Sequence, residues 1–134
     1  KLMVVTEAAG LPLSVHTACA SPHEITLVEA TLDEAFALGR PRRVIGDRAY
    51  DADALDERLK AKGIELIAPH RSGRVKEKTQ DGRPLRRYGR RWKVERTIAW
   101  LLAFKRILVR WDRSIEHYNA FIHLACTVIL MRHL

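Results

Sequence analysis

Apolar residues come in two patterns along the chain, and the switch between them predicts the elements. "KLMVVTEAAGLPLSVHTACA" holds two β-branched, apolar runs, Leu2–Thr6 and Leu13–Thr17, around a segment with Gly10 and Pro12. That is the pattern of a β-hairpin. "SPHEITLVEATLDEAFALG" shifts to helical spacing, with Ile25, Val28 and Leu32 on one face and Phe36 on the next turns. Ser21 is an expected N-cap, Pro22 suits the first helical position, and Glu24 completes a capping box. Gly39 is an expected stop. "RRVIGD" reads as a short strand and "DADALDERLKAKG" as a second helix, capped by Asp51 or Asp53 and ended by Gly63. "IELIAP" is a further strand, stopped by Pro69. The predicted order to this point is β-β-α-β-α-β.

Residues 70–87, "HRSGRVKEKTQDGRPLRR", have few apolar residues and read as a mobile basic loop. Residues 88–110 then read as one long helix with the stripe Val94, Ile98, Leu101, Phe104 and Leu108. Residues 114–134 read as a terminal helix capped by Ser114, with Ile115, Tyr118, Ile122, Ala125 and Ile129 on one face. The 134 residues form one domain's length of chain, and 47% hydrophobic content is enough for a core. No apolar run reaches the length of a membrane span, and the first residues do not form a signal peptide. Cys19 and Cys126 are isolated, which fits two buried thiols in a reducing cytosol.

Charge changes the picture. The net charge is +8, and it is uneven. Residues 1–68 carry 8 Lys and Arg against 11 Asp and Glu, whereas residues 69–113 carry 15 against 4. Such a basic block predicts a polyanionic partner. Within this distribution Asp47 stands out, because it follows a strand, where open α/β sheets carry functional groups. It has three readings: a helix cap, a solvated turn residue, or a ligand for a hard divalent cation. On the long helix Tyr88, Arg91 and Glu95 are spaced 3 and 4 apart, within about 60° of one another around the axis. Arg106 returns to that direction. Glu95 is one of the four acids in the basic block, and its simplest reading is an intrahelical pair with Arg91 or Lys93.

"VIGDRAYDAD" and "YGRRWKVERTIAWLLAFKRILVRWDR" together closely resemble the DDE-type transposases of bacterial insertion sequences. The resemblance extends over essentially the whole chain, "GLPLSVHTACASPHE" included. It implies an α/β, RNase H-like fold, a mixed sheet flanked by helices, spanning residues 1–134 with the basic loop 70–87 inside it. In that family an Asp follows the fourth strand and a Tyr-x2-Arg-x3-Glu helix brings the last catalytic acid. The resemblance therefore assigns Asp47 and Glu95 as catalytic metal ligands, with Tyr88 and Arg91 as the flanking positions. Two departures stand out. The Lys often found seven residues after the Glu is replaced by Leu102, with Lys105 and Arg106 the nearest cations. The family's first acid, on its first strand, has no match among Glu7, Glu24, Glu29, Asp33 and Glu34.

The chain is thus expected to be the catalytic domain without its first strand, leaving two half-sheets with unpaired edges, and to resemble the downstream piece of a longer reading frame. The implied activity is DNA transposition by strand cleavage and strand transfer, with Mg²⁺ or Mn²⁺ as cofactor, DNA as partner, a homo-oligomer as the working form, and a bacterial cytoplasm as location. Little activity is expected of these residues alone. The alternative is a non-catalytic DNA-binding remnant; a third reading is a basic domain that binds no DNA. Expected phosphate contacts are Arg71, Arg74, Lys76, Lys78, Arg86, Arg87, Arg90, Arg91, Lys93, Arg96, Lys105 and Arg106. Trp92 is a candidate for base stacking, and Trp100 and Trp111 are expected to pack. His70 is the histidine expected nearest the site.

Overall fold

The computed structural model describes residues 1–36, 39–79 and 85–133. The hairpin forms as the pattern predicts. β1 (Leu2–Thr6) pairs antiparallel with β2 (Pro12–Thr17), and the register shifts between Val5 and Thr6. α1 (Glu24–Asp33) follows. β3 (Arg43–Ile45) and β4 (Glu65–Ile67) then pair in parallel, Val44 opposite Leu66, with α2 (Asp53–Ala61) as the crossover that a parallel pair requires. The second half is helical: α3 (Trp92–Leu102), α4 (Lys105–Leu108) and α5 (Ile115–Met131). Among the described residues the strands form two separate two-stranded sheets, β1–β2 and β3–β4, as the sequence led us to expect.

Two cores lie on either side of the hairpin. Leu2 and Val4 of β1, with buried Val15 of β2, pack against Leu101, Ile107, Ile122, Ala125, Cys126 and Ile129 of the helical half. Val5, one position further on and so on the opposite face, packs on Val28, Leu32, Leu55, Leu59, Ile64 and Leu66. Leu55 and Leu59, one turn apart on α2, are fully buried, each worth about 1.5–3 kcal/mol of transfer energy. α2 ends as predicted at Gly63. Its φ of +75° lets the Ile64 amide reach the Leu59 carbonyl and the Gly63 amide reach the Lys60 carbonyl. Ser114 caps α5 as predicted, accepting from the His117 amide at 3.3 Å.

Several expectations are corrected. α1 begins at Glu24 after His23, with no side-chain cap, so Ser21 and Glu24 do not form a capping box. It ends at Asp33, before Gly39, and Phe36 lies beyond it, its amide bonded to the Leu13 carbonyl. α2 starts after Ala52 without a side-chain cap, because Asp51 and Asp53 are engaged elsewhere. The long helix is broken. Residues 86–90 form a 3-10 turn, and extended backbone at Phe104 separates α3 from α4. On one continuous helix Leu101 and Ile107 would point about 120° apart. The break lets both enter the same core, and it leaves Leu108 exposed. Trp111 does not pack but is 77% exposed. Cys19 is exposed, and only Cys126 is buried, its thiol pushed up to about 11 by burial.

Candidate active site

Asp47 leaves β3 in extended backbone and caps one turn of 3-10 helix, Arg48–Tyr50, its Oδ1 accepting from the Ala49 amide at 2.8 Å. Gly46 is required just before it. A Cβ there would lie 2.9 Å from the Tyr50 ring, which folds back over the strand end. Tyr50 donates to Glu24 at 3.4 Å. Its phenol is pushed up to about 12, first by burial and then by the Glu24 and Asp47 carboxylates. Among the described residues Oδ2 of Asp47 accepts no hydrogen bond.

The first half of the basic loop is folded against this turn. Asp51, nearly buried at 7% side-chain exposure, accepts from His70 Nδ1 at 2.9 Å, the Arg71 amide at 2.8 Å and Arg74 at 3.2 Å. Burial would raise its carboxyl, but the Arg71 amide, His70 and Arg74 outweigh burial and hold it below the ordinary value. Arg74 also binds Asp53 at 2.7 Å, and Lys76 binds the other oxygen of Asp53 at 3.1 Å. Those two bonds, Arg74's first, lower the Asp53 carboxyl. The exposed Arg71 side chain lies across the turn, donating to the carbonyls of Arg48 at 3.1 Å and Ala49 at 2.7 Å. His70 accepts from the Thr79 amide through Nε2. Residues 80–84 of the predicted loop lie outside the described residues.

Glu95 sits in the first turn of α3, a favourable end of the helix dipole for an acid. It is half exposed and pairs with Arg91 at 2.6 Å. Arg91 also lies 5.7 Å from the centre of the Tyr88 ring, so Tyr88, Arg91 and Glu95 come together although Tyr88 is on the preceding 3-10 turn. Burial acts to lower the Arg91 guanidinium's pKa, but Glu95 and Tyr88 outweigh it and raise it. α3 is fastened to the hairpin by three side chains on one face. Lys93 donates to the Ala8 carbonyl, Arg96 to that of Ala9 at 2.6 Å, and buried Thr97 to that of Gly10. Arg96 lies between the rings of Trp92 and Trp100, at 5.0 and 4.7 Å.

The expected phosphate contacts therefore divide. Lys93 and Arg96 bind the hairpin turn; Arg71, Arg74 and Lys76 bind the acidic turn. Arg106 pairs with Asp112 at 2.9 Å and lies over Phe121, and the helix break takes it off the Glu95 face. Lys78, Arg86, Arg87, Arg90 and Lys105 are exposed, with no ion pair among the described residues. Trp92 is half exposed. Sequence reasoning missed the Thr97 latch and the Asp51 brace. The 3 and 4 spacing of Lys93, Arg96 and Thr97 was a usable signal for the first. For the second it was the acid-rich 47–53 stretch facing a basic one across a parallel β-α-β unit. Among the described residues, no three His, Cys, Asp or Glu are grouped to hold a metal ion.

The chain is thus a mixed α/β protein with one acid at a strand end and another on a polar helix face. The family model for the transposase DDE domain matches residues 1–130, and the chain belongs to this family of insertion-sequence transposases. It is 34% identical, over 94% of its length and 60% of the relative's, to a protein named as transposase for insertion sequence element IS402 in Burkholderia cepacia. It is 31% identical, over 98% of both, to one named for element IS6501 in Brucella ovis. The chain thus spans about three fifths of the first relative and nearly all of the second. No solved structure matches it. Among the described residues no helix is long and apolar enough to cross a membrane.

Proposed function

We propose that the chain is the catalytic region of a DDE transposase, cutting and joining DNA strands in the transposition of an insertion sequence. The observation that carries this reading is the match of the transposase DDE domain over residues 1–130. Asp47 and Glu95 are the acids assigned to the chemistry. Both fit a hard divalent cation, since each has one carboxylate oxygen engaged, by the Ala49 amide or by Arg91, and another open to a ligand. Mg²⁺ or Mn²⁺, when bound, would activate water or a 3′-hydroxyl and stabilise the leaving oxygen. Arg91 stands beside Glu95 to hold a non-bridging phosphate oxygen, and Tyr88 flanks it. Lys78, Arg86, Arg87 and Arg90 carry the electrostatic attraction for the DNA backbone, with Trp92 available to stack on a base.

The third acid of the reading comes from a strand outside these 134 residues, seated between β1 and β3. The two separate sheets support this, as does the incomplete burial of all five apolar or β-branched residues of β1. The working form is a homo-oligomer on paired DNA ends in a bacterial cytoplasm. DNA carrying the element's ends, incubated with the chain and Mg²⁺ or Mn²⁺, tests the proposal. The 134 residues alone should give little or no strand transfer, and a chain extended upstream should give activity that Asp47→Ala and Glu95→Ala abolish. Robust metal-dependent cleavage by the unextended chain, lost in Asp47→Ala, would refute the need for an outside acid. Salt-dependent DNA binding with no activity in the extended chain would identify a non-catalytic remnant.

A further inference from the structure

We propose that Arg71 and Asp51 are positioning residues that aim the Asp47 carboxylate by bracing the turn beneath it. The inference rests on the reading of Asp47 as a metal ligand. A single 3-10 turn is weak on its own, and here its bonds are long: Tyr50 to the Asp47 carbonyl at 3.1 Å and Asp51 to that of Arg48 at 3.3 Å. Yet this turn carries the Ala49 amide that fixes Oδ1 of Asp47. Arg71 closes the turn from outside. Its guanidinium spans the Arg48 and Ala49 carbonyls, while its own amide binds Oδ2 of Asp51, the residue that ends the turn. Asp51 in turn is held through Oδ1 by His70 and Arg74. The chain from Arg71 to the Ala49 peptide to Asp47 is continuous, so a change at Arg71 reaches the carboxylate without touching metal or DNA.

The fork geometry is what matters, because two carbonyls on adjacent residues are bridged by one planar guanidinium. A lysine at this position keeps the charge and loses the bridge. That separates this role from phosphate binding, where the charge does most of the work. Arg71→Lys, Asp51→Asn and Asp47→Ala would each be followed by NMR, reading amide exchange at Ala49 and the Mn²⁺ concentration that half-broadens its signal. Amides of Leu59 and Ile129, in the two cores, report whether the variant is folded. In Arg71→Lys we expect Ala49 exchange to rise several-fold and the Mn²⁺ requirement to rise about tenfold, the scale for outer-shell metal partners. Core amides and the salt slope of DNA binding should stay as in the parent. Ala49 exchange unchanged in folded Arg71→Lys overturns the proposal. So does a Mn²⁺ requirement raised by Asp47→Ala but not by Arg71→Lys. If Asp47→Ala itself leaves the Mn²⁺ requirement unchanged, the metal reading of Asp47 fails, while faster Ala49 exchange in Arg71→Lys still upholds the brace.

Discussion

Asp47 is partly buried and Glu95 exposed, and the two are held in place by opposite means. Asp47 rides on a three-residue turn with little hydrogen bonding of its own, and charged side chains from a loop some twenty residues further on steady it. Glu95 rides on a regular helix anchored by Leu101 in the core and by three donors placed on the hairpin carbonyls. The first arrangement depends on the ion-paired carboxylates of Asp51 and Asp53, whereas the second leans on one carboxylate outside any ion pair, Glu7, which accepts from the Ala9 and Leu11 amides of the hairpin turn. They should therefore respond differently to sterics, to acid and to the removal of an ion pair.

The largest separation comes from two glycines with the same φ of +91°, one in each support. Gly10 lies in the hairpin turn under α3. A Cβ there would meet Arg96 Nη2 at 2.6 Å and Lys93 Cβ at 3.3 Å, and Arg96 cannot yield without giving up the Ala9 carbonyl. Strain and overpacking together put Gly10→Ala at about 2–4 kcal/mol of lost stability. Gly73, in the loop that braces Asp47, has open space around it, so Gly73→Ala should cost only the backbone strain, about 1 kcal/mol. Urea unfolding of the two variants checks the ranking, and equal costs would mean that the latch on α3 is looser than its geometry.

Acid should act first on the support of Asp47. The Asp51 and Asp53 carboxyls are lowered in the folded chain, so their contribution is fully present above the unfolded value of about 3.9. It is lost as pH falls through the lower folded values, when the native state must take up protons against its ion pairs. As pH falls below about 4, the amides of residues 70–79 should lose protection from exchange well before those of residues 97–101 on α3. If both sets open together, the acidic brace is not a separate unit.

These two supports also explain what could be read from the amino-acid order. Local elements were legible where the signal was local: the strand runs Leu2–Thr6 and Arg43–Ile45, the Gly63 stop and the Ser114 cap. The N-terminal end of α1 was not, because Ser21 lies two residues before the N-cap and its pattern competes with the hairpin's exit. Asp51 and Asp53 had good capping positions, but partly buried Arg74 offers charged hydrogen bonds that outcompete a cap. The continuous stripe from Val94 to Leu108 hid the break at Phe104, since periodicity cannot show that Leu101 and Ile107 share one core. Of the candidate site, the place of Asp47 after a strand and the grouping of Tyr88, Arg91 and Glu95 were legible from pattern and spacing. The bonding of Arg71 to the Arg48 and Ala49 carbonyls and the fastening of α3 to Ala8, Ala9 and Gly10 were not. Those contacts join residues 22 to 87 positions apart, and a basic residue looks the same in sequence whether it faces phosphate or a carbonyl.

The smallest effect is expected at Arg91. Its bond to Glu95 is short, yet both side chains are over a third exposed, and solvent screens such a pair. The order is also the weaker one on a helix, cation before acid, so the pair opposes the dipole where Glu95 alone favours it. Arg91→Ala should therefore lower stability by no more than about 0.5 kcal/mol in urea unfolding. DNA binding by the same variant should weaken, with the salt slope falling by about one, as for a lost phosphate contact. A helix held by its latch can spare this ion pair. A stability loss well above 1 kcal/mol would instead make the pair part of what holds α3, and would erase the contrast between the two carboxylates.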